Sequence, residues 1–260
     1  FENANVNSPK SICIENSNVL DVSKFNYPLI VKPTDRSGSR GVSKVYNTSE
    51  LKNAVERSLQ ESLEKKVVIE EFIEGVEVSV ESISWQGKHH IITITDKVTT
   101  GEPYFVELEH HQPSLLASEI QDEIKRETIK ALNALEIQFG ASHSEFKITA
   151  EGKVYAIEVG ARMGGDFIGS DLVFLSTAYD FVKGVIEVAL GKFNEPTIAD
   201  NKFSGVFFLC KETEHLLNYF KTPNEFDYKK EYVQTILKNI KESNDRSGFL
   251  IYQANQKIIL

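Results

Sequence analysis

The stretch EFKITAEGKVYAIEVGARMGG, residues 145–165, holds two strand-like runs around an Ala-Glu-Gly-Lys turn, and each run carries one carboxylate. With Glu151-Gly152 as a two-residue type I′ turn, Ala150 faces Lys153 and Glu145 falls opposite Glu158. Directly opposed residues have Cβ atoms about 4.5–5.5 Å apart. Alternation then puts His143, Glu145 and Lys147 on one face with Ala156, Glu158 and Gly160. Phe146, Ile148, Tyr155, Ile157 and Val159 form the other face, which reads as core. Two facing carboxylates repel, so either a cation compensates them or one holds a proton. A divalent cation fits, because Mg²⁺ favours one or two carboxylates together with substrate phosphates. The competing reading is a solvated face on which Lys147 neutralises the pair. Arg162 lies two residues beyond Gly160 and suits an anion bridged to a metal; otherwise it is a surface cation.

Two further stretches carry chemistry. VKPTDRSGSRGV sets Lys32, Arg36, Arg40 and Lys44 against a single Asp35, in small residues that let backbone N–H groups approach an anion. It matches neither G-x-x-x-x-G-K-[ST] nor G-x-G-x-x-G, and a flexible surface loop is the alternative. VVIEEFIEGVEVSVES is a Glu-rich, half-apolar strand that could hold an adenine against an apolar wall and a ribose through Glu77; a plain edge strand is the alternative.

The elements that must position these residues read as α+β. Strands are expected at 25–33, 42–46, 67–72, 76–84 and 88–98, the last two forming a hairpin around WQGK. Helices are expected at 48–63 (behind a Thr or Ser cap), at 118–137 with Gly140 just past its end, at 171–191, and at about 229–242. Hairpins with helices between them argue against a doubly wound parallel sheet. The net charge of −9 argues against nucleic acid as a general partner. No apolar run approaches the roughly 18–20 residues of a membrane span. Two distant cysteines, Cys13 and Cys210, exclude a disulfide scaffold and suit a reducing, cytoplasmic setting. FENANVNSPK reads as the end of a helix followed by a turn, so an upstream segment is expected.

Taken in order, the strand-Lys-Pro with its Gly/Ser loop, EEFIEGVEVSVE and SEFKITAEGKVYAIEVGARMGG resemble the ATP-grasp superfamily over residues of about 25–190. The motifs are closest to those of L-amino-acid ligases and carbamoyl-phosphate-synthase-like carboxylate–amine ligases. The resemblance implies an ATP-grasp fold, with two α+β subdomains gripping ATP between antiparallel sheets. It divides the chain into a connecting segment (1–24), a small lid-bearing subdomain (25–75), a large subdomain with the metal site (76–191) and a C-terminal lobe (192–260). It implies ATP and Mg²⁺, with Mn²⁺ as a substitute. It assigns Lys32 to the α/β-phosphates; Ser37, Gly38, Ser39 and Gly41 to a lid; Glu70, Glu71, Phe72 and Ile73 to the adenine edge; and Glu77 to the ribose. Glu145 and Glu158 would hold the metal, and Arg162 would stabilise the transferring phosphoryl group. An E-x-x-H-x-x-P-like stretch in TTGEPYFVELEHHQPS suggests substrate or lid roles for Glu107 and His111, and His143 shares the face of Glu145. Gly160 stands where many family members carry a metal-ligating Asn, and the expected N-terminal domain with its first nucleotide-contacting Lys is not visible. The implied activity joins a small, amino-acid-like carboxylate and an amine through an acyl phosphate, with room for an oligomer. A carbamoyl-phosphate-synthase-like or biotin-carboxylase-like enzyme, which would need bicarbonate, and a non-catalytic nucleotide-binding module are the alternatives.

Overall fold

The computed structural model describes residues 1–15, 21–199, 202–233 and 236–260. The strands in chain order are β1 (Ser11–Ile14), β2 (Leu29–Pro33), β3 (Ser43–Val45), β4 (Val67–Glu71), β5 (Val76–Trp85), β6 (Lys88–Thr99), β7 (Glu107–Gln112), β8 (Gly140–Ile148), β9 (Val154–Gly160), β10 (Phe203–Leu209), β11 (Asp227–Tyr232) and β12 (Gly248–Ala254). The helices are α1 (Thr48–Glu61), α2 (Ser118–Ala134), α3 (Val173–Thr177), α4 (Phe181–Ala189) and α5 (Leu217–Lys221). They build an α+β fold on two antiparallel sheets. One is four-stranded in the order β1-β4-β2-β3; the other is eight-stranded in the order β11-β12-β10-β7-β6-β5-β8-β9.

Burial explains the layering. In β2 the pattern is inward at Leu29 and Val31, and these pack with Val67 and Ile69 of β4 against Leu51 and Val55 of α1. The large sheet buries Val78, Val80, Ile94, Phe146 and Ile148 under Ile124 and Ala131 of α2. The β5–β6 hairpin turns at Gln86-Gly87, both with positive φ, as a type I′ turn requires. The chain passes from β4 into β5 at Gly75, where a Cβ would lie 2.1 Å from the Ile148 carbonyl oxygen, so only glycine fits.

Four local expectations change. The cap of α1 is Asn47, whose side chain accepts from the Ser49 N–H, not Thr48 or Ser49. The second helix ends at Ala134, and Gly140 opens β8 rather than closing the helix. The expected helix at 171–191 is broken. A π-helical turn, Ile168–Leu172, leads into α3, Ala178 turns left-handed, and Asp180 caps a separate α4 by accepting from the Lys183 N–H. Finally, 229–232 belong to β11, which is recruited by β12, and the described residues 236–242 are not helical; 234–235 lie outside the described residues.

The β8–β9 ladder holds the decisive detail. Glu145 does face Glu158, but Phe146 faces Ala156 and Ile148 faces Val154. The turn is one residue out from the two-residue reading, and a β-bulge between Glu145 and Phe146 restores the Glu pair. Ile157 is the extra residue. Ala156 therefore joins the core, not the site face, while Tyr155, opposite Lys147, leaves the core face and Ile157 faces the cleft.

Candidate active site

A cleft of about 440 Å³ opens between the two sheets. It is lined by Lys32, Ser37, Gly38, Ser39, Glu70, Glu71, Phe72, Ile73, Glu77, Glu107, His143, Glu145, Glu158 and Arg162. Three stretches far apart in sequence thus converge on one cavity. Two expected residues do not line it. Gly41 faces α1, where a Cβ would lie 3.0 Å from Glu61 Cβ. His111 is buried on the far side of β7; its Nδ1 lies 2.9 Å from the Tyr252 hydroxyl and its Nε2 2.8 Å from Glu109. A bulge near Leu108 re-aims β7, so that Glu107 and His110 reach the cleft instead.

Lys32 reaches inward from β2. Its ammonium pairs with Glu70 at 2.7 Å and donates to the carbonyl of Ile157, the bulge residue, at 3.3 Å. The Glu71 carboxylate turns away and accepts from the Asn26 main chain at 2.8 Å. The Lys44 ammonium stands 3.7 Å over the Phe72 ring. From the polar loop, the Ser39 hydroxyl donates to the Phe105 carbonyl at 3.2 Å, so the loop already bridges to the segment between β6 and β7.

The centre of the site is a residue the sequence did not single out. Lys97 on β6, with its side chain 2% exposed, sits 2.6 Å from Glu77, 2.8 Å from Glu145 and 3.7 Å from Glu107. Burial alone would lower its pKa; Glu145, Glu77 and Glu107 outweigh burial and hold it well above the usual lysine value. Lys147 pairs with Glu77 at 3.6 Å and does not neutralise the Glu145–Glu158 pair. Arg246, also not foreseen, reaches Asp166 at 2.8 Å and Glu107 at 3.2 Å while covering the Phe208 ring. Burial would raise the Asp166 carboxyl, but hydrogen bonds from His110 and Arg246 hold it far below its ordinary value.

The two facing glutamates are electrostatically unequal. Burial would raise Glu145, yet Lys97 and His143 overcome it and hold the carboxyl well below the ordinary range. Glu158 has no hydrogen bond or ion pair among the described residues; burial first, and then the Glu145 charge, push its carboxyl up. His143 is pushed up to about 9, since Glu145 and Glu81 outweigh its burial, so its imidazole is charged and donates from both nitrogens. Both nitrogens are thereby taken, which leaves none for a substrate.

A divalent cation fits this arrangement. It would relieve the raised, unpartnered Glu158 while Glu145 is already ionised. Among the described residues no group of three or more His, Cys, Asp or Glu side chains could hold a metal alone. Its remaining ligands would come from phosphate oxygens and water, the coordination Mg²⁺ favours. Arg162 lines the same cleft, with its side chain 3.5 Å from where a Cβ at Gly160 would stand, so it covers the position of the missing Asn.

A family model described as the ATP-grasp domain matches residues 25–171, more than half of the chain and all three cleft-forming stretches. The chain belongs to the ATP-grasp family. Among curated proteins, this ATP-grasp chain is similar to the D-alanine–D-alanine ligase of Flavobacterium johnsoniae, 29% identical over 149 residues that cover 55% of the chain and 45% of the relative. Its fold superposes on the L-amino acid ligase from Bacillus licheniformis with a TM-score of 0.80 at 24% identity, covering 98% of this chain and 64% of that one. It also superposes on the biotin carboxylase domain of the Hydrogenobacter thermophilus 2-oxoglutarate carboxylase, a structure with MgADP and bicarbonate, with a TM-score of 0.73 at 18% identity, covering 98% and 60%. The chain thus spans about half the length of the curated relative and under two thirds of these solved chains. Among the described residues no helix is long and apolar enough to cross a membrane.

Proposed function

We propose that the chain is the ATP-binding part of an ATP-dependent carboxylate–amine ligase that works through an acyl phosphate. The observation that carries this reading is the Glu145–Glu158 pair, facing across a bulged ladder in the same cleft as Lys32 and Arg162. In this reading residues 25–75 carry the lid, with Ser37, Gly38 and Ser39 over the phosphates, and residues 76–191 carry the metal pair. The main chain and walls at Glu70–Ile73 receive the adenine, and Glu77 accepts from the ribose hydroxyls. Its substrates are a small carboxylate and an amine of amino-acid type, and its setting is the cytoplasm, consistent with two free cysteines.

The chemistry follows from charge. A carboxylate is a poor acyl donor, because the oxygen that must leave is too basic. Attack of the carboxylate oxygen on the γ-phosphorus breaks the bond to the ADP oxygen and gives an acyl phosphate; attack of the amine then expels inorganic phosphate. Glu145 and Glu158 would hold Mg²⁺, which when bound neutralises phosphate charge. Lys32, braced by Glu70 and the Ile157 carbonyl, is positioned for the phosphates of ADP as leaving group. Arg162, which lines the same cleft as the glutamate pair, would meet the charge that builds on the transferring phosphoryl group. A closed polar loop keeps water from the acyl phosphate.

Thermal unfolding with ATP, with and without Mg²⁺, tests the reading. Ligand at 100 times its Kd should stabilise by about 2.7 kcal/mol, a Tm rise of roughly 5–10 °C for a chain of this size. The rise should need both ATP and Mg²⁺. No rise with the pair, or ADP release that needs bicarbonate and no amine, would overturn the ligase reading. A second expectation concerns Arg162→Ala: turnover should fall on the order of 10²–10³-fold while ATP affinity changes little. Equal loss in both would place Arg162 in ground-state binding rather than at the transferring group.

A further inference from the structure

From the cleft wall a row of buried groups runs back into the large sheet. Glu81 on β5 is fully buried and faces His143 across the β5–β8 ladder. One of its oxygens lies 2.5 Å from His143 Nδ1; the other accepts the Gly164 main-chain N–H at 2.9 Å. From its other nitrogen, His143 reaches Glu145 Oε1 at 3.2 Å. Gly164 comes two residues after Arg162. A Cβ there would lie 2.5 Å from Glu81 Oε1 and 2.9 Å from His143 Nδ1, so the turn can close on this pair only as glycine.

A buried carboxylate is costly unless every lone pair it turns inward is used. Here the cost is met along a single line, Glu145–His143–Glu81–Gly164, whose ends are the two parts of the site that must hold register. One end is a carboxylate of the metal pair. The other is the turn that carries Arg162. Nothing else in the line faces the cleft except His143, and both its nitrogens are occupied. An ordinary core ion pair would have no reason to end on these two places.

We propose that Glu81 and His143 are positioning residues that form a buried strut. The strut fixes the Glu145 carboxylate and the Arg162 turn against each other, so that a bound metal and the anion it holds meet Arg162 in one geometry. This rests on the reading of Glu145 and Glu158 as metal ligands. Partners that orient ligating side chains typically change metal affinity by 10–100-fold when removed.

The test is Mn²⁺ binding to this chain by titration calorimetry or electron paramagnetic resonance, in the presence of ADP, beside ADP binding without metal. Wild type should bind Mn²⁺ with ADP. Glu81→Gln and His143→Gln should each weaken Mn²⁺ about tenfold or more, and Glu81→Gln, whose side chain does not line the cleft, should leave metal-free ADP binding unchanged. The double variant should be no weaker than the worse single, because both changes break one line. Gly164→Ala, which alters no charge and removes no hydrogen-bond partner of Glu145, should weaken Mn²⁺ as well by displacing the Glu81 carboxylate. It also decides the matter if Glu81→Gln fails to fold. A wild type that binds Mn²⁺ beside variants that match it, or single effects that add in the double, would overturn the strut while leaving the metal pair in place. A wild type that binds ADP but no Mn²⁺ would overturn the metal pair and the strut together.

Discussion

Replacing Glu158 by Gln should abolish Mg²⁺-dependent nucleotide binding and lower turnover on the order of 10³-fold, yet leave the metal-free chain at least as stable as the parent. The two effects have one cause. Glu158 stands opposite Glu145 in the cleft with no hydrogen bond or ion pair among the described residues, and partial desolvation and the Glu145 charge raise its carboxyl. A carboxyl raised in the folded chain costs stability wherever the unfolded chain would release its proton more easily, which is above the ordinary value of 4.5. The Gln gain is therefore expected at pH 7 and should vanish as the pH falls below 4.5. Calorimetry of the two proteins with and without Mg-ATP measures both effects. A variant that is less stable at pH 7 and still responds to Mg²⁺ would remove the metal assignment.

Lys97→Met should do the opposite. It deletes the one buried cation shared by Glu77, Glu107 and Glu145 and leaves three half-buried carboxylates to the outer cations Lys147, Arg246 and His143. Removing one member of a buried ionic cluster costs about 3–5 kcal/mol, a Tm fall of roughly 10 °C in a chain of this length. Mg²⁺ with nucleotide should restore part of the loss by supplying positive charge to Glu145. Thermal unfolding checks this. A Tm unchanged without ligand would mean that water, not Lys97, compensates the three glutamates.

The site was legible in its ingredients and not in its registers, and the same device explains each miss. On β8–β9 the sequence placed Glu145 opposite Glu158 from a turn that is one residue out; the bulge at Ile157 cancelled the error, but exchanged the faces of Ala156 and Ile157. On β5–β6 the Gln86-Gly87 turn read alone sets Asp96 opposite Glu77. An extra residue beside Glu81 slides the ladder by one and brings Lys97 there instead. On β7 a bulge turns His110 rather than His111 to the cleft, and here a signal was present, since E-x-x-H-x-x-P counted from Glu107 falls on His110 and Pro113. Bulges gather next to active sites because they re-aim single side chains, and no local pattern announces them, since an extra residue looks like any other in an alternating run. The broken helix at 171–191 was hidden for another reason. Its apolar spacing is continuous, and only the hydroxyls of Ser176 and Thr177 folding back on the Val173 carbonyl, with Asp180 poised as a cap, mark the interruption. Arg246 could not be read at all, because it joins Glu107 and Asp166 from a segment about 80 residues or more away along the chain.

The Ile157 bulge also bears on how the chain keeps company with its own copies. β9, which carries Glu158, is the last strand of the eight-stranded sheet, and a long regular strand in that place offers a template on which a neighbouring molecule can add another strand. The extra residue kinks that template midway. Along the rest of it Asn7 is already seated: its carbonyl takes the Ala156 N–H and its side-chain amide donates to the Val154 carbonyl. The free carbonyl left by the kink is turned to Lys32. The irregularity that aims a carboxylate into the cleft thus also blunts the border where strand-by-strand aggregation would begin.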